Sequence, residues 1–211
     1  EVAKAALRRI SAPSAFDTES FLDGSVQLLG LQLEADCPTL GTPLRELTDL
    51  FSTLDAIVVG IRRDGKLFAP EPRDQLFEGD QIYVATPVRD VGRTLEIFGK
   101  PAKAPDRVVI VGGGNVGLAV ARELETAEHR VRAKVIERDR RAAERAADGL
   151  ERTIVLNGDG MEQSLLEEAS IATADAVLCV TDDDKVNLLA AVRAKQAGCP
   201  FAIALVNDPS L

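Results

Sequence analysis

Residues that commonly transfer protons in enzymes are scarce in this chain. Its 211 residues include one histidine, His129, one tyrosine, Tyr83, and no tryptophan. Histidine is the most frequent general acid or base, and it also activates serine and cysteine nucleophiles. A catalytic triad or a Cys-His pair would therefore depend entirely on where His129 lies.

Metal and redox sites are also poorly supported by the composition. The three cysteines, Cys37, Cys179 and Cys199, are odd in number, widely separated and form no CxxC pair. A single histidine cannot complete a zinc site with them at a usual ligand spacing. We therefore expect reduced structural thiols and no metal.

Basic runs and long apolar runs are missing as well. Lysine and arginine never occur in a run longer than two, and 34 acidic against 25 basic residues give a formal charge of −9. Such a charge repels nucleic acid and anionic lipid. No apolar segment approaches the roughly 20 residues that cross a bilayer, and the first ten residues lack the apolar core of a signal peptide. We expect a cytoplasmic protein that binds no nucleic acid.

A linker is indicated at residues 98–106, where FGKPAKAPD places two prolines among small and charged residues. Beyond it, short apolar runs typical of buried parallel strands alternate with helical patterns. This alternation predicts an α/β domain with a Rossmann-like parallel sheet. The strand segments are RVVIVG, VRAKVIE, TIVLNGD, ADAVLCV and FAIALV, and helices are expected at 115–128, 139–148, 161–169 and 184–197.

The pattern before the linker predicts a small α+β domain. Strands with turn residues between them and only two short helical patterns are typical of that class. The expected elements are a strand at 26–33, a helix at 43–51, a hairpin turning at Asp64-Gly65, a strand within GDQIYVA, and a closing helix carrying Val91, Leu95 and Phe98.

The opening stretch, EVAKAALRRISAPSAF, has a helical pattern with Val2, Ala6, Leu7 and Ile10 on one face. No element of the small domain is an obvious partner for that face. We interpret this helix as the tail of a segment that precedes the small domain.

A glycine-rich turn follows the first strand of the α/β domain. Gly112, Gly114 and Gly117 form the spacing G-x-G-x-x-G between a strand and a helix. In dinucleotide sites these glycines permit the tight turn, the approach of a pyrophosphate and close packing of the helix. Glu137 ends the second strand 25 residues after Gly112, where an acid binds the adenosine ribose. The carboxylate favours NAD over NADP, and the adjacent Arg138 keeps NADP as an alternative.

Two further polar stretches follow strands three and four. Asp159 with Glu162 has the form of a helix N-cap with its capping-box partner, and an adenine contact by Asp159 is an equal alternative. Thr181 is expected to cap the next helix. The acids 182–184 suit the positive end of that helix better than a metal.

The chemistry of this site is not evident in the sequence. His129 falls at the C-terminal end of the first helix of the α/β domain, away from the nucleotide edge, and Tyr83 lies in a strand of the small domain. A dehydrogenase needs a positioned acid or base. Three hypotheses follow: a nucleotide-binding regulator, an NAD-dependent oxidoreductase fragment without its substrate domain, and a structural subunit with a vestigial site.

These motifs together resemble a known family. VVIVGGGNVGLAVARELE, KVIERDRRAAERAAD and the pairing of NGD with VTDDDKVNLL resemble the nucleotide-binding domain of Trk-type potassium uptake regulators (TrkA), also called the RCK or KTN N-terminal domain. The small domain resembles the C-terminal module of the same family. The resemblance implies a tail helix of a preceding nucleotide-binding domain at 1–20, a TrkA C-terminal type domain at 21–100, and a Rossmann-like domain at 106–211 truncated after strand five.

The resemblance also implies a function. Members are regulatory proteins, not enzymes; they bind NAD(H) and in some cases ATP or ADP, assemble as homo-oligomeric dimers or tetrameric rings, and gate a membrane potassium transporter subunit from the cytoplasmic side. Carried onto this chain, the phosphate loop consists of Gly112, Gly114, Asn115, Val116 and Gly117. Glu137 is assigned to the ribose, Arg138 to the rim, Asp159 to the adenine side, and Thr181 and Asp183 to the far lip.

Overall fold

The structure is a computed structural model that describes residues 2–12, 14–100, 105–126 and 131–208. It divides into two compact units. The parallel-sheet unit comprises Glu1–Ile10 and Pro105–Leu211, and the small unit comprises Ser11–Ala104. In chain order the elements are α1 (Val2–Ser11), β1 (Asp17–Phe21), β2 (Val26–Gln32), α2 (Leu44–Leu50), β3 (Ile57–Arg63), β4 (Lys66–Phe68), β5 (Gln81–Pro87), α3 (Val91–Ile97), β6 (Arg107–Val111), α4 (Asn115–Thr126), β7 (Arg132–Glu137), α5 (Arg140–Asp148), β8 (Ile154–Asn157), α6 (Gln163–Glu168), β9 (Ala176–Cys179), α7 (Asp184–Gln196) and β10 (Ala202–Ala204).

The parallel-sheet unit has the predicted α/β architecture. Its five strands lie in the order β10-β9-β6-β7-β8, and all the pairings are parallel. Successive residues of β6 point to opposite faces of the sheet, so Val108 and Ile110 pack in one core and Val109 and Val111 in another. In this strand order β6 and β9 are neighbours. The chain continues from β6 toward β7 on one side and from β9 toward β10 on the other, and this divergence opens a crevice at the carboxyl ends of the two strands.

The small unit is an α+β domain built on one antiparallel sheet. Its strands lie in the order β1-β2-β5-β3-β4. The hairpin between β3 and β4 turns at Asp64 and Gly65, whose φ angles of 50° and 77° match the turn that suits a two-residue hairpin. The core is formed by inward residues of β2, β3 and β5 together with α2 and α3, and its fully buried members include Leu29, Leu31, Leu33, Ile61, Leu76, Ile82, Val84 and Leu95.

An ion pair closes one end of the small sheet. Arg63 Nε and Nη2 donate to the two carboxylate oxygens of Asp80 over 2.8 and 2.7 Å. Asp80 is buried and also accepts a bond from the backbone N–H of Phe77, while the guanidinium carbon of Arg63 lies 4.6 Å from the Phe77 ring centre. Burial opposes ionisation of Asp80, yet these donors outweigh it and lower its pKa. The pair therefore fixes the loop before β5 against the end of β3.

The leading residues are arranged differently from the sequence-based expectation. Residues 17–20 were assigned to the leading segment, but β1 pairs with β2 and belongs to the small sheet. Its residues, DTESF, alternate too weakly in hydrophobicity to mark an edge strand in the sequence. The helix α1 instead packs through Ala6 and Ile10 into the core of the parallel-sheet unit. In the described part of the chain, no helix has the length and apolar character needed to span a bilayer.

The end of α4 is fastened by a carboxylate. Glu125 accepts bonds from the backbone N–H groups of Glu151, Arg152 and Thr153 and from the Thr153 hydroxyl, over 2.7 to 3.1 Å. Desolvation raises the pKa of Glu125, but the four donors outweigh it and hold the pKa at about 2. This carboxylate thus fixes α4 to the segment that enters β8.

Replacing Glu125 with Gln is expected to lower the free energy of unfolding at pH 7 by about 1–3 kcal/mol, because the backbone donors lose a charged acceptor. Because folding lowers the pKa of Glu125, its ionised carboxylate stabilises the fold at pH values above 4.5, the ordinary pKa of this group. That contribution is lost as the pH falls toward 2. The difference between the two proteins in urea unfolding should therefore shrink between pH 5 and pH 3. Glu123→Gln, on the exposed side of the same helix, is the control. A difference that is independent of pH would contradict this role.

Candidate functional site

The glycine turn between β6 and α4 has no room for side chains at two of its three motif glycines. Gly112 has a φ of +111°, and a Cβ there would lie 2.9 Å from the backbone nitrogen of Thr181. A Cβ on Gly117 would run into the carbonyl oxygen of Gly112. The turn is therefore closely packed between α4 and the loop that follows β9, as the motif requires.

The remaining motif glycine, Gly114, lies at the open side of the turn. It is exposed, and a Cβ built on it meets nothing within 4 Å. Its carbonyl accepts the first helical bond of α4, from Leu118 N over 2.9 Å. Gly114 has no side chain with which to cap the helix, so the N–H groups of the first turn and the positive end of the helix dipole face open space. This is the geometry of an anion site.

Glu137 is held beside this turn at the end of β7. One carboxylate oxygen accepts a bond from Gly113 N over 2.7 Å, and the other accepts from Asp139 N over 2.8 Å. A Cβ on Gly113 would lie 2.9 Å from the Cβ of Glu137, so this glycine, which is outside the motif, is also required. The carboxylate is therefore fixed between the turn and the start of α5.

A residue that sequence reasoning did not single out supports this arrangement. Asn157, at the end of β8, donates from Nδ2 to the carbonyls of Glu137 and Arg138 over 2.9 and 3.0 Å. The NGD sequence contains this asparagine, but the role predicted from that sequence belongs to the aspartate alone. Arg138 itself is exposed.

The prediction that Asp159 and Glu162 form a capping box is wrong. The N-cap residue of α6 is Glu162, without a side-chain cap bond, while Asp159 Oδ1 accepts from Met161 N over 2.9 Å in a local turn. Adjacent aspartate and glycine residues favour such Asx turns, which compete with helix capping. A Cβ on Gly160 would lie 2.5 Å from Val111 Cγ1, so this turn lies against the end of β6, beside Gly112.

The prediction that Thr181 caps α7 is also wrong. The cap is Asp183, whose Oδ1 accepts from Lys185 N and Val186 N over 2.9 and 3.1 Å. The Thr181 hydroxyl donates instead to Asn187 Oδ1 over 2.7 Å. A carboxylate is the stronger acceptor near the positive helix end, which explains the exchange. Asp184 bonds to Asn207 and Asp208 N, so both acids have structural partners.

Candidate catalytic groups are not brought to the turn in the described residues. Tyr83 lies on β5 of the small unit, and His129 lies outside the described residues. Burial raises the pKa of the Cys179 thiol to about 12, with a contribution from Cys199, and it also raises that of Cys199. All three cysteines are buried free thiols, and the described residues contain no group of three or more metal-ligating side chains. The expectation of structural thiols fits this placement.

Two family models match the chain. The TrkA-C domain matches residues 28–99, and the TrkA-N domain matches residues 108–211. The chain belongs to the TrkA family. It thus carries a TrkA-C domain followed by a TrkA-N domain, and the α/β fold and the resemblance seen in the sequence are confirmed.

Relatives agree with this assignment, and solved structures share the fold. A Trk system potassium uptake protein TrkA from Azorhizobium caulinodans is 45% identical over 99% of this chain, and one from Vibrio alginolyticus is 31% identical over 95%. The chain spans 45% and 43% of those two proteins, less than half of their length. The fold is similar to the GsuK RCK domain, with a TM-score of 0.53 and 19% identity over 96% of this chain and 48% of that one. A GsuK channel bound to NAD gives a TM-score of 0.52 and 18% identity over 96% of this chain and 40% of that one.

Gly117→Ala is expected to lower the free energy of unfolding by about 3 kcal/mol, because its methyl group meets the Gly112 carbonyl inside a packed turn. An alanine within a helix would otherwise stabilise the protein by about 0.4–1 kcal/mol. The matched variant Gly114→Ala faces open space and should cost less than about 1 kcal/mol. Urea unfolding measures both. Equal stability of the two variants would show that the turn is not closely packed as described.

Proposed function

We propose that this chain binds NAD(H), or an adenine nucleotide, at the turn between β6 and α4 and serves as a regulatory, non-catalytic part of a potassium uptake system. The observation that carries the proposal is the uncapped start of α4 at Gly114 directly beside the fixed carboxylate of Glu137. The N–H groups that can bind a phosphate and the carboxylate that can accept from ribose hydroxyls thereby lie at the ends of two neighbouring strands, at one edge of the sheet. Family membership and the named relatives support the regulatory role.

The phosphates belong over the first turn of α4. The N–H groups of residues 114–117 lie in that turn, and the helix dipole adds attraction for negative charge. The neighbouring helices α5 and α7 already have carboxylate caps, Asp139 and Asp183, which would repel a phosphate. Of these three helix starts, that of α4 is the one without a carboxylate cap, and it suits the pyrophosphate.

The ribose belongs on Glu137. Each of its carboxylate oxygens already accepts one backbone bond, from Gly113 N or from Asp139 N. A carboxylate oxygen has capacity for a second donor, so the 2′- and 3′-hydroxyl groups can each donate without breaking those bonds. Asp159 follows β8 on the side expected for adenine. The family resemblance assigns further contacts around the turn to Asn115, Val116, Arg138, Thr181 and Asp183.

Regulation fits the site better than catalysis. Hydride transfer from a nicotinamide requires a positioned proton donor, and the described residues bring none to the turn. In this proposal the nucleotide state is transmitted to a membrane potassium transporter subunit at the cytoplasmic face, within a homo-oligomer. A ligand shifts such an assembly only if it binds two arrangements with different affinities.

Gly114→Asp is expected to weaken binding of NADH at least tenfold, about 1.4 kcal/mol, by placing a carboxylate where the phosphates approach. The variant should still fold, because the position is open. Gln196→Glu adds the same charge at the exposed far end of α7 and is the control. Titration calorimetry gives the affinities. Unchanged NADH binding in Gly114→Asp would exclude this turn as the site.

NAD(H) is expected to bind more tightly than NADP(H), because a 2′-phosphate beside Glu137 meets like charge in a half-buried position. Glu137→Gln should reduce that preference, whereas Arg138→Gln should leave it in place. Competition titrations with the four dinucleotides measure the preference. A preference of the unmodified chain for NADP(H) would assign the choice to Arg138, and turnover of NADH with a small-molecule substrate would favour an oxidoreductase.

A further inference from the structure

We infer that Asn187, on the inner side of α7, is a positioning residue that holds the glycine turn at its working distance from the β9–α7 loop and couples the turn to the end of β10. The inference rests on the proposed function, since it concerns the regulation of the same site. Asn187 was contained in the VTDDDKVNLL motif, but none of the roles described above uses it.

The side chain of Asn187 is fully buried and fully used. Its Oδ1 accepts from Thr181 N and from the Thr181 hydroxyl over 2.8 and 2.7 Å. Its Nδ2 donates to the carbonyls of Thr181 and Leu205 over 3.1 and 2.9 Å. These four bonds satisfy the carboxamide, which has two acceptor sites and two donors. A single side chain therefore fixes the backbone of Thr181 on both sides.

Thr181 in turn sets the position of the glycine turn. The position of a Cβ on Gly112 is 2.9 Å from Thr181 N and 2.9 Å from the Val180 carbonyl carbon. On its other side Gly112 is closed in by α4, at Gly117. Gly112 is therefore closely packed on both sides, so a phosphate that presses the turn inward must act on the backbone of Thr181.

Asn187 also bonds to the chain at the end of β10. Asn187 holds the Leu205 carbonyl, and three residues earlier on α7 the Asp184 carboxylate accepts from Asn207 N, Asn207 Nδ2 and Asp208 N over 2.8 to 3.0 Å. The first turn of α7 and residues 205–208 are therefore one bonded unit. Displacement of Thr181 passes through Asn187 to this unit.

A merely structural role makes a different prediction. If Asn187 only satisfied buried carbonyls, its loss would lower global stability and change every protected amide of the parallel-sheet unit in proportion. A positioning role concentrates the change at the glycine turn and at residues 205–208. Amide hydrogen exchange, resolved by residue, separates these two cases without any ligand.

The experiment compares the unmodified chain with Asn187→Ala, Thr181→Val and Thr181→Ser. Glu125→Ala, a destabilising change elsewhere in the parallel-sheet unit, is the control. These exchange rates are compared without nucleotide and under conditions in which the two variants have the same free energy of unfolding. Exchange at Gly112, Gly113 and Asn207 should then quicken at least tenfold more in Asn187→Ala than in the control. Thr181→Val should show a smaller increase at the same amides, and Thr181→Ser, which keeps the hydroxyl, should restore slow exchange. A uniform increase in Asn187→Ala that matches the control would overturn the inference.

A second set of exchange measurements is made with saturating NADH. The unmodified chain should gain protection both at the turn and at residues 205–208, whereas Asn187→Ala should gain it at the turn with at least a threefold smaller gain at residues 205–208. Equal gains in both proteins would overturn the coupling. If NADH does not bind the unmodified chain, the proposed function fails, and the exchange rates without nucleotide still decide the role of Asn187.

Discussion

The close approach of Gly112 to two neighbours is the constraint on which the candidate site depends. The residue meets α4 at Gly117 and the loop after β9 at Thr181, and neither Gly112 nor Gly117 has space for a methyl group. This packing brings the start of α4 to the crevice between β6 and β9, where parallel sheets bind their ligands. It also places Gly113 within reach of Glu137, so that one turn positions both the anion site and the carboxylate.

Around this turn, polar side chains are used mainly to hold backbone. Glu137 bonds the turn to α5, Asn157 fixes the strand end that carries Glu137, and Asn187 fixes the loop that faces Gly112. Such bonds stiffen the two sides of the crevice while leaving the start of α4 open. A rigid frame around an uncapped helix suits recognition of a nucleotide, since little ordering remains to oppose binding.

Much of this could be predicted from the sequence because the relevant signals are local. Apolar runs with turns between them indicated each strand of the parallel sheet, and the spacing of Gly112, Gly114 and Gly117 indicated the turn. The failures arose where several hydrogen-bond partners were available to the same polar side chain. Thr181 and Asp159 have the composition of helix caps, but Asn187 takes the hydroxyl of the first and a tight turn takes the carboxylate of the second. The edge strand β1 was missed because pairing with β2, not its own pattern, makes it a strand.

In the proposed function a nucleotide occupies the turn between β6 and α4 and is not consumed there. A titration of the ¹⁵N-labelled chain with NADH, followed by recovery of the nucleotide, tests it most directly. We expect the largest amide shifts at residues 112–117, smaller shifts at Glu137 and Thr181, and recovery of the NADH unchanged. Shifts confined to the small unit, or recovery of the nucleotide as NAD together with a reduced substrate, would contradict it.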